Sequence, residues 1–189
     1  MPNGFESLPD DLPVPIDDGA CDHLLNMKLP DLPLKSTSGK WVNLASKSNR
    51  VVLYCYPMTG VPGIALPDGW DDIPGARGCT PQSLAYREQH DEIEALGAEV
   101  FGISTQSTDY QHEMVVRLRL PYQVLSDHQL EFASALKIPT FSVEGKTLMK
   151  RVTLIANAGS IEAVHYPIFP SDTDPHWVIQ FLTNNPLVR

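Results

Sequence analysis

The chain has 189 residues, 42% of them hydrophobic, which is enough for one self-sufficient core and too short for two large domains. Fourteen Lys and Arg stand against 23 Asp and Glu, and a formal charge of −9 has the wrong sign for a phosphate backbone, so nucleic acid is not an expected partner. No apolar run approaches the roughly 20 residues of a membrane span, no basic and apolar leader pattern opens the chain, and three cysteines without a CxxC do not make a disulfide scaffold or a zinc cage; the expectation is a soluble, cytoplasmic protein.

Residues 1–20 carry four prolines (Pro2, Pro9, Pro13, Pro15) and five acids (Glu6, Asp10, Asp11, Asp17, Asp18) with no base, a composition that cannot build a core. It predicts an extended acidic arm, ordered only where it lies against the body formed by residues 21–189. The run Val51-Val-Leu-Tyr-Cys-Tyr-Pro57 is nearly continuous in apolar, β-branched and aromatic residues and predicts a central strand buried on both faces. Residues 58–78 then hold five glycines and three prolines, which exclude a regular helix or strand; loops of this length inside a compact domain tend to be functional.

From Cys79 the spacing turns helical, with Cys79, Tyr86, Ile93 and Leu96 on one face and Arg87, Glu88, Asp91 and Glu92 available for the other. Gly97 is placed to end this helix, and Glu99 to Ile103 predicts a second buried strand, completing a parallel βαβ unit. Ser107 or Thr108 can cap a helix with the stripe Tyr110, Met114 and Leu118, and Leu130, Ala133 and Leu136 indicate a short one. Val152–Ile155 and Ile161–Tyr166 flank Asn157-Ala-Gly159 as an antiparallel hairpin. Asp174 as N-cap and Pro175 at the first helical position announce a last helix through Trp177, Val178, Phe181 and Leu182.

Cys79 is the candidate nucleophile. Sulfur attacks as thiolate, and an ordinary thiol supplies only a few per cent of that form at neutral pH. A helix start aims unpaired N–H groups at the sulfur, Arg77 adds positive charge two residues away, and Gly75, Pro74 and Gly78 shape a close, stiff approach. The residue type alone equally fits a small core cysteine.

The segment Gly78-Cys-Thr-Pro-Gln-Ser-Leu-Ala-Tyr-Arg-Glu88 resembles the active-site helix of the peroxiredoxins, and within them the bacterioferritin-comigratory or Q-type branch. The likeness continues, in order, through residues 51–57, 101–104, 120–127 and 151–155. What the resemblance implies is an α/β thioredoxin-like fold, a central mixed sheet flanked by helices with a long Gly/Pro-rich insertion, and a thiol peroxidase with Cys79 as peroxidatic cysteine. The strand-borne arginine of that family falls on Arg151, which would hold the thiolate and polarise the peroxide. Two departures stand out. The compact Pro-x-x-x-Thr-x-x-Cys run is split by the loop, so that Pro57 keeps the proline and Thr59 becomes the nearest hydroxyl able to fold back to the sulfur, with Thr80 a weaker candidate. The position five after Cys79, where this branch often has a resolving cysteine, is Leu84. Recycling then falls to Cys55, to Cys21, or to an external thiol, and the external thiol is favoured.

The implied reaction partners are a hydroperoxide, such as hydrogen peroxide or an organic hydroperoxide, and a thiol reductant such as thioredoxin, glutaredoxin or a small thiol. The implied state is a monomer or weak homodimer, with no metal and no organic cofactor. The six histidines show neither HxxxH nor HxH spacing, and Gly145-Lys-Thr147 ends like a phosphate-binding loop but has Thr140 where the first glycine belongs. Residues 165–170 and Trp70 could form an apolar rim near the site. Two rivals remain in view: a redox-inactive thioredoxin-fold binding protein, and a cysteine hydrolase pairing Cys79 with a remote histidine.

Overall fold

The structure, a computed structural model, describes residues 5–187, and residues 1–4 of the arm lie outside it. Its centre is a seven-stranded sheet in the order β2-β1-β5-β4-β3-β8-β9. The strands are β1 (Pro33–Ser36), β2 (Trp41–Asn43), β3 (Arg50–Cys55), β4 (Ala98–Ser104), β5 (Gln123–Ser126), β8 (Val152–Asn157) and β9 (Ser160–His165). A separate hairpin pairs β6 (Thr140–Val143) with β7 (Lys146–Met149). The helices are α1 (Cys79–Ala95), α2 (Thr108–Leu118), α3 (Glu131–Leu136) and α4 (Asp174–Asn184). β3, β4 and β5 run parallel through the α1 and α2 crossovers, while β1, β2, β8 and β9 add antiparallel edges, so the sheet is mixed.

Strand alternation divides the core. From β3, Val51, Leu53 and Cys55 join one cluster with Phe101, Leu125, Phe132 and Leu136, under α3. Val52, Tyr54 and Tyr56 join the other, with Cys79, Tyr86, Ile93, Met114 and Val178 from α1, α2 and α4. A strand covered on both faces needs the unbroken apolar run that the sequence shows at Val51. The Tyr54 and Tyr86 rings stack at 4.5 Å, and Gly102 of β4 leaves room for Tyr54, where a Cβ would stand 2.8 Å from its ring. Such a stack adds about 0.5–1.5 kcal/mol beyond area burial and ties α1 to the sheet.

Residues 58–78 form no α-helix or strand, only a 3-10 turn at Trp70–Asp72. They carry a small core of their own, in which Trp70 and Ala76 pack with Leu148, Met58, Ile73 and Phe141, so the loop is moored on the β6–β7 hairpin. The arm lies along the same side. A Cβ added at Gly60 would stand 3.0 Å from the Phe5 ring, one at Gly78 2.7 Å from Leu8, and Asp18 reaches both Lys150 Nζ and Tyr166 OH at 2.8 Å. Among the described residues no helix is long and apolar enough to cross a membrane.

Two expectations need correction. The central strand ends at Cys55, with Tyr56 and Pro57 beyond it. Thr173 is the N-cap of the last helix, and Asp174 is its first helical residue, its carboxylate turned into the core instead of onto the helix N–H groups. The strands β1, β2, β5, β6 and β7 have only three or four residues each, too few for alternation to signal them.

Candidate active site

Gly78 turns the chain from the loop into α1 with φ +105°, a region glycine enters without strain. The turn is also crowded: Ser171 Oγ donates to Gly78 O at 2.8 Å, and a Cβ at Gly78 would collide with Ser171 Oγ. Cys79 follows as the first residue of the helix, 3% exposed. Arg151, 4% exposed between β7 and β8, donates from Nη2 to Cys79 Sγ at 3.2 Å. The same nitrogen faces the carbonyl oxygens of Gly75, Ala76 and Arg77 at 3.2, 3.3 and 3.2 Å, so the end of the long loop forms the cradle for the guanidinium. The guanidinium charge thus lies directly against the sulfur, in surroundings nearly closed to water. Nε of Arg151 is buried with no partner among the described residues.

Thr59 is buried and lines the same small cavity as Cys79, together with Phe5, Trp70 and Arg77. Its hydroxyl bonds to Gln106 Oε1 at 3.2 Å, its N–H donates to that oxygen at 2.9 Å, and its carbonyl accepts from Gln106 Nε2 and Tyr110 OH, both at 3.1 Å. The interrupted Pro/Thr pattern thus closes up in space, but the Thr59 hydroxyl is engaged by Gln106 rather than by the sulfur. Arg77 stands over the Phe5 ring at 5.4 Å and bonds Asp71 Oδ1 at 3.2 Å; the guanidinium that reaches the sulfur is that of Arg151. Thr80 is buried and lines the same cavity. Tyr166, Pro167 and Ile168 line an apolar cavity of about 320 Å³ with Arg151, Ile73 and Phe141, so the aromatic segment does form a rim beside the site.

Two residues of the site were not singled out from the sequence. Gln82 accepts from Arg151 Nη1 with its Oε1 and donates from Nε2 to Asp174 Oδ2 at 2.8 Å. Its spacing was the available signal, since a residue three after Cys79 shares its helix face. Asp174 gave none, because an aspartate before Pro175 is indistinguishable in sequence from a cap.

The Redoxin family profile matches residues 24–177. The chain belongs to the redoxin family. Within it, the chain is 27% identical over 154 residues to a chloroplastic peroxiredoxin Q of Gentiana triflora, spanning 81% of this chain and 64% of that protein. It is 35% identical over 99 residues to a wheat (Triticum aestivum) peroxiredoxin Q, spanning 52% of this chain and 39% of that one. The matched region thus covers 39% to 64% of the length of these two curated relatives. A crystal structure of peroxidoxin BcpB from Mycobacterium tuberculosis superposes with a TM-score of 0.69 at 23% identity, covering 86% of this chain and 98% of that one. Peroxiredoxin Q of Xanthomonas campestris gives 0.64 at 19% identity, covering 93% and 98%. These structures share the thioredoxin-like α/β fold, and the resemblance to the Q-type peroxiredoxins read from the sequence is borne out.

This redoxin keeps all three cysteines free, and they do not share a compartment. Cys79 belongs to the core cluster under α1, whereas Cys55 and Cys21 belong to the cluster on the opposite face of the sheet. Burial pushes the Cys55 thiol well up and the Cys21 thiol up to about 12, with Asp18 adding to the latter. Leu84 is half-buried on α1. The polar partners of Cys79 Sγ among the described residues are Arg151 Nη2 and Ala76 O, neither of them a base.

Proposed function

We propose that this redoxin is a thiol peroxidase. The observation that carries the reading is the Arg151 guanidinium against the Cys79 sulfur at a helix start, a cation and helix dipole acting together on one buried nucleophile. The Cys79 thiolate attacks the terminal oxygen of ROOH. An S–O bond forms as the O–O bond breaks, RO⁻ leaves and takes a proton to become alcohol or water, and sulfur is oxidised by two electrons to sulfenic acid. Arg151 stabilises charge on the sulfur before attack and on the oxygen that leaves.

An external thiol then attacks the sulfenic sulfur and releases water, and a second thiol breaks the mixed disulfide, returning Cys79 to thiolate. That route is supported by the leucine at position 84 and by the placement of Cys21 and Cys55 across the sheet. A thioredoxin, a glutaredoxin or a small thiol supplies the electrons, and three free thiols suit a reducing compartment such as the cytoplasm. The test is consumption of hydrogen peroxide with dithiothreitol as reductant, followed beside mass spectrometry of a rapid peroxide pulse. Turnover with one added oxygen on Cys79, both lost in Cys79→Ser, is expected. A wild-type protein that leaves peroxide untouched and stays unmodified overturns the peroxidase reading in favour of a binding role.

A further inference from the structure

Asp174 is 0% exposed, and four donors converge on its carboxylate. Oδ2 accepts from Gln82 Nε2 at 2.8 Å, Tyr86 OH at 2.8 Å and Thr153 Oγ1 at 2.7 Å, while Oδ1 lies 2.7 Å from His165 Nδ1. The first turn of α4 is thereby fastened to α1, β8 and β9 through one residue.

The arrangement has a polarity. A primary amide offers an acceptor on one side and donors on the other, and the two ends have nearly the same reach. A carboxylate only accepts, so Gln82 must turn its NH₂ to Asp174 and its oxygen to Arg151, where that oxygen takes Nη1. Turned the other way, the amide would set its N–H groups against the N–H groups of the guanidinium and leave Oε1 facing carboxylate oxygen. The direction of the Gln82 amide therefore decides whether Arg151 has an acceptor on its Nη1 side. With Nη1 held there, Nη2 is left to the three loop carbonyls and the sulfur.

We propose that Asp174 is a positioning residue for peroxide reduction: through the Gln82 amide it fixes the Arg151 guanidinium against the Cys79 sulfur. The inference rests on the peroxidase reading. Asp174 touches neither the sulfur nor the peroxide and acts only through Gln82.

The test is a rapid-mixing cycle with hydrogen peroxide on wild type, Asp174→Asn, Arg151→Lys and the double variant, each checked for fold by circular dichroism. Asp174→Asn frees the amide to turn, and a misplaced guanidinium slows Cys79 oxidation by about ten- to a hundredfold. In the Arg151→Lys background, where no fork remains to be aligned, the same change costs less than about twofold, because the two residues act as one unit. Gln82→Met, which cuts the link and leaves Asp174 in place, reproduces the loss if Asp174→Asn does not fold. Adding Gln82→Glu to Asp174→Asn restores much of the rate, since one oxygen of the introduced carboxylate accepts from Arg151 and the other from the introduced amide at position 174. Equal losses in both arginine backgrounds, or rates unchanged by Asp174→Asn and Gln82→Met in a wild type that reacts, overturn the proposal alone. A wild type inert to peroxide removes the peroxidase reading and the proposal with it.

Discussion

Three cysteines in one chain meet three environments, and the environment rather than the residue type decides which can be a nucleophile. Cys55, on the central strand, has no positive group among the causes acting on its thiol, and burial pushes it well above the ordinary range. Cys21 is held up to about 12 by burial and then by the nearby negative charge of Asp18, against which Lys150 is a smaller opposing influence. Both are therefore thiols rather than thiolates at neutral pH, and the sheet separates them from Cys79. Serine at either position is expected to leave peroxide turnover with added dithiothreitol within about twofold of wild type, as for distant and independent sites. A tenfold drop in steady-state peroxide consumption for Cys55→Ser or Cys21→Ser would show that one of them resolves the sulfenic acid and that the chain rearranges to let it.

The start of α1 is where local geometry, packing and chemistry depend on one another. Gly78 sets the angle at which Cys79 enters the helix, and its carbonyl is the acceptor for Ser171 just ahead of α4. Gly78→Ala would force a side chain into φ +105° and drive a Cβ against Ser171 and Leu8. The expected cost is about 1–3 kcal/mol, read as a lower urea midpoint at unchanged slope, together with slower Cys79 oxidation as the sulfur leaves Arg151. A variant with wild-type midpoint and rate would show that the turn is not fixed by this residue.

The same region shows what a sequence can carry. The helix start at Cys79, the buried runs of β3 and β4 and the β8–β9 hairpin are written in consecutive residues, and so they were legible. The strands β1 and β2, at one end of the sheet, mix Pro33, Lys35, Trp41 and Asn43 over three or four positions, too short a stretch for a period of two. At the site, Cys79 carries a local signal. Arg151 was found only by family resemblance, and the Gln82–Asp174 bond joins residues 92 apart, a pairing set by the docking of α4 and invisible to any local window. The Asp174 position misled for a physical reason, since the residue type that caps a helix is also the type that can be buried when enough donors meet it.

At the scale of the whole molecule, Phe5 and Leu8 of the acidic arm pack against the start of α1, beside the Cys79 sulfur. The cavity at Cys79 has a volume of about 10 Å³, near the lower limit for a single water, and Phe5 is part of its wall. A hydroperoxide with any side chain, and any protein thiol, needs that mouth wider. The fastening lies farther along the arm. Asp18 is held at about 2, first by its bond from Lys150 and then by that from Tyr166, and Lys150 is correspondingly raised by Asp18. An aspartate lowered in the folded state contributes stability above its ordinary 3.8 that is lost as pH falls through about 2, and a raised lysine contributes below its ordinary 10.5. Both partners therefore keep their charges between pH 5 and 8, and pH in that range does not loosen the pair. Opening instead competes with the packing of Phe5 and Leu8. With the open form populated at about 10% or less, removing residues 1–12 is expected to speed Cys79 oxidation by cumene hydroperoxide about tenfold or more, and by hydrogen peroxide to a smaller degree. Asp18→Asn should move both rates in the same direction and hasten proteolytic cleavage within the arm. Equal rates for truncated and full-length protein with the bulky peroxide would mean that residues 1–12 have no part in access and that reactants enter from the side of the apolar cavity walled by Val14, Ile16, Ile73 and Ile168.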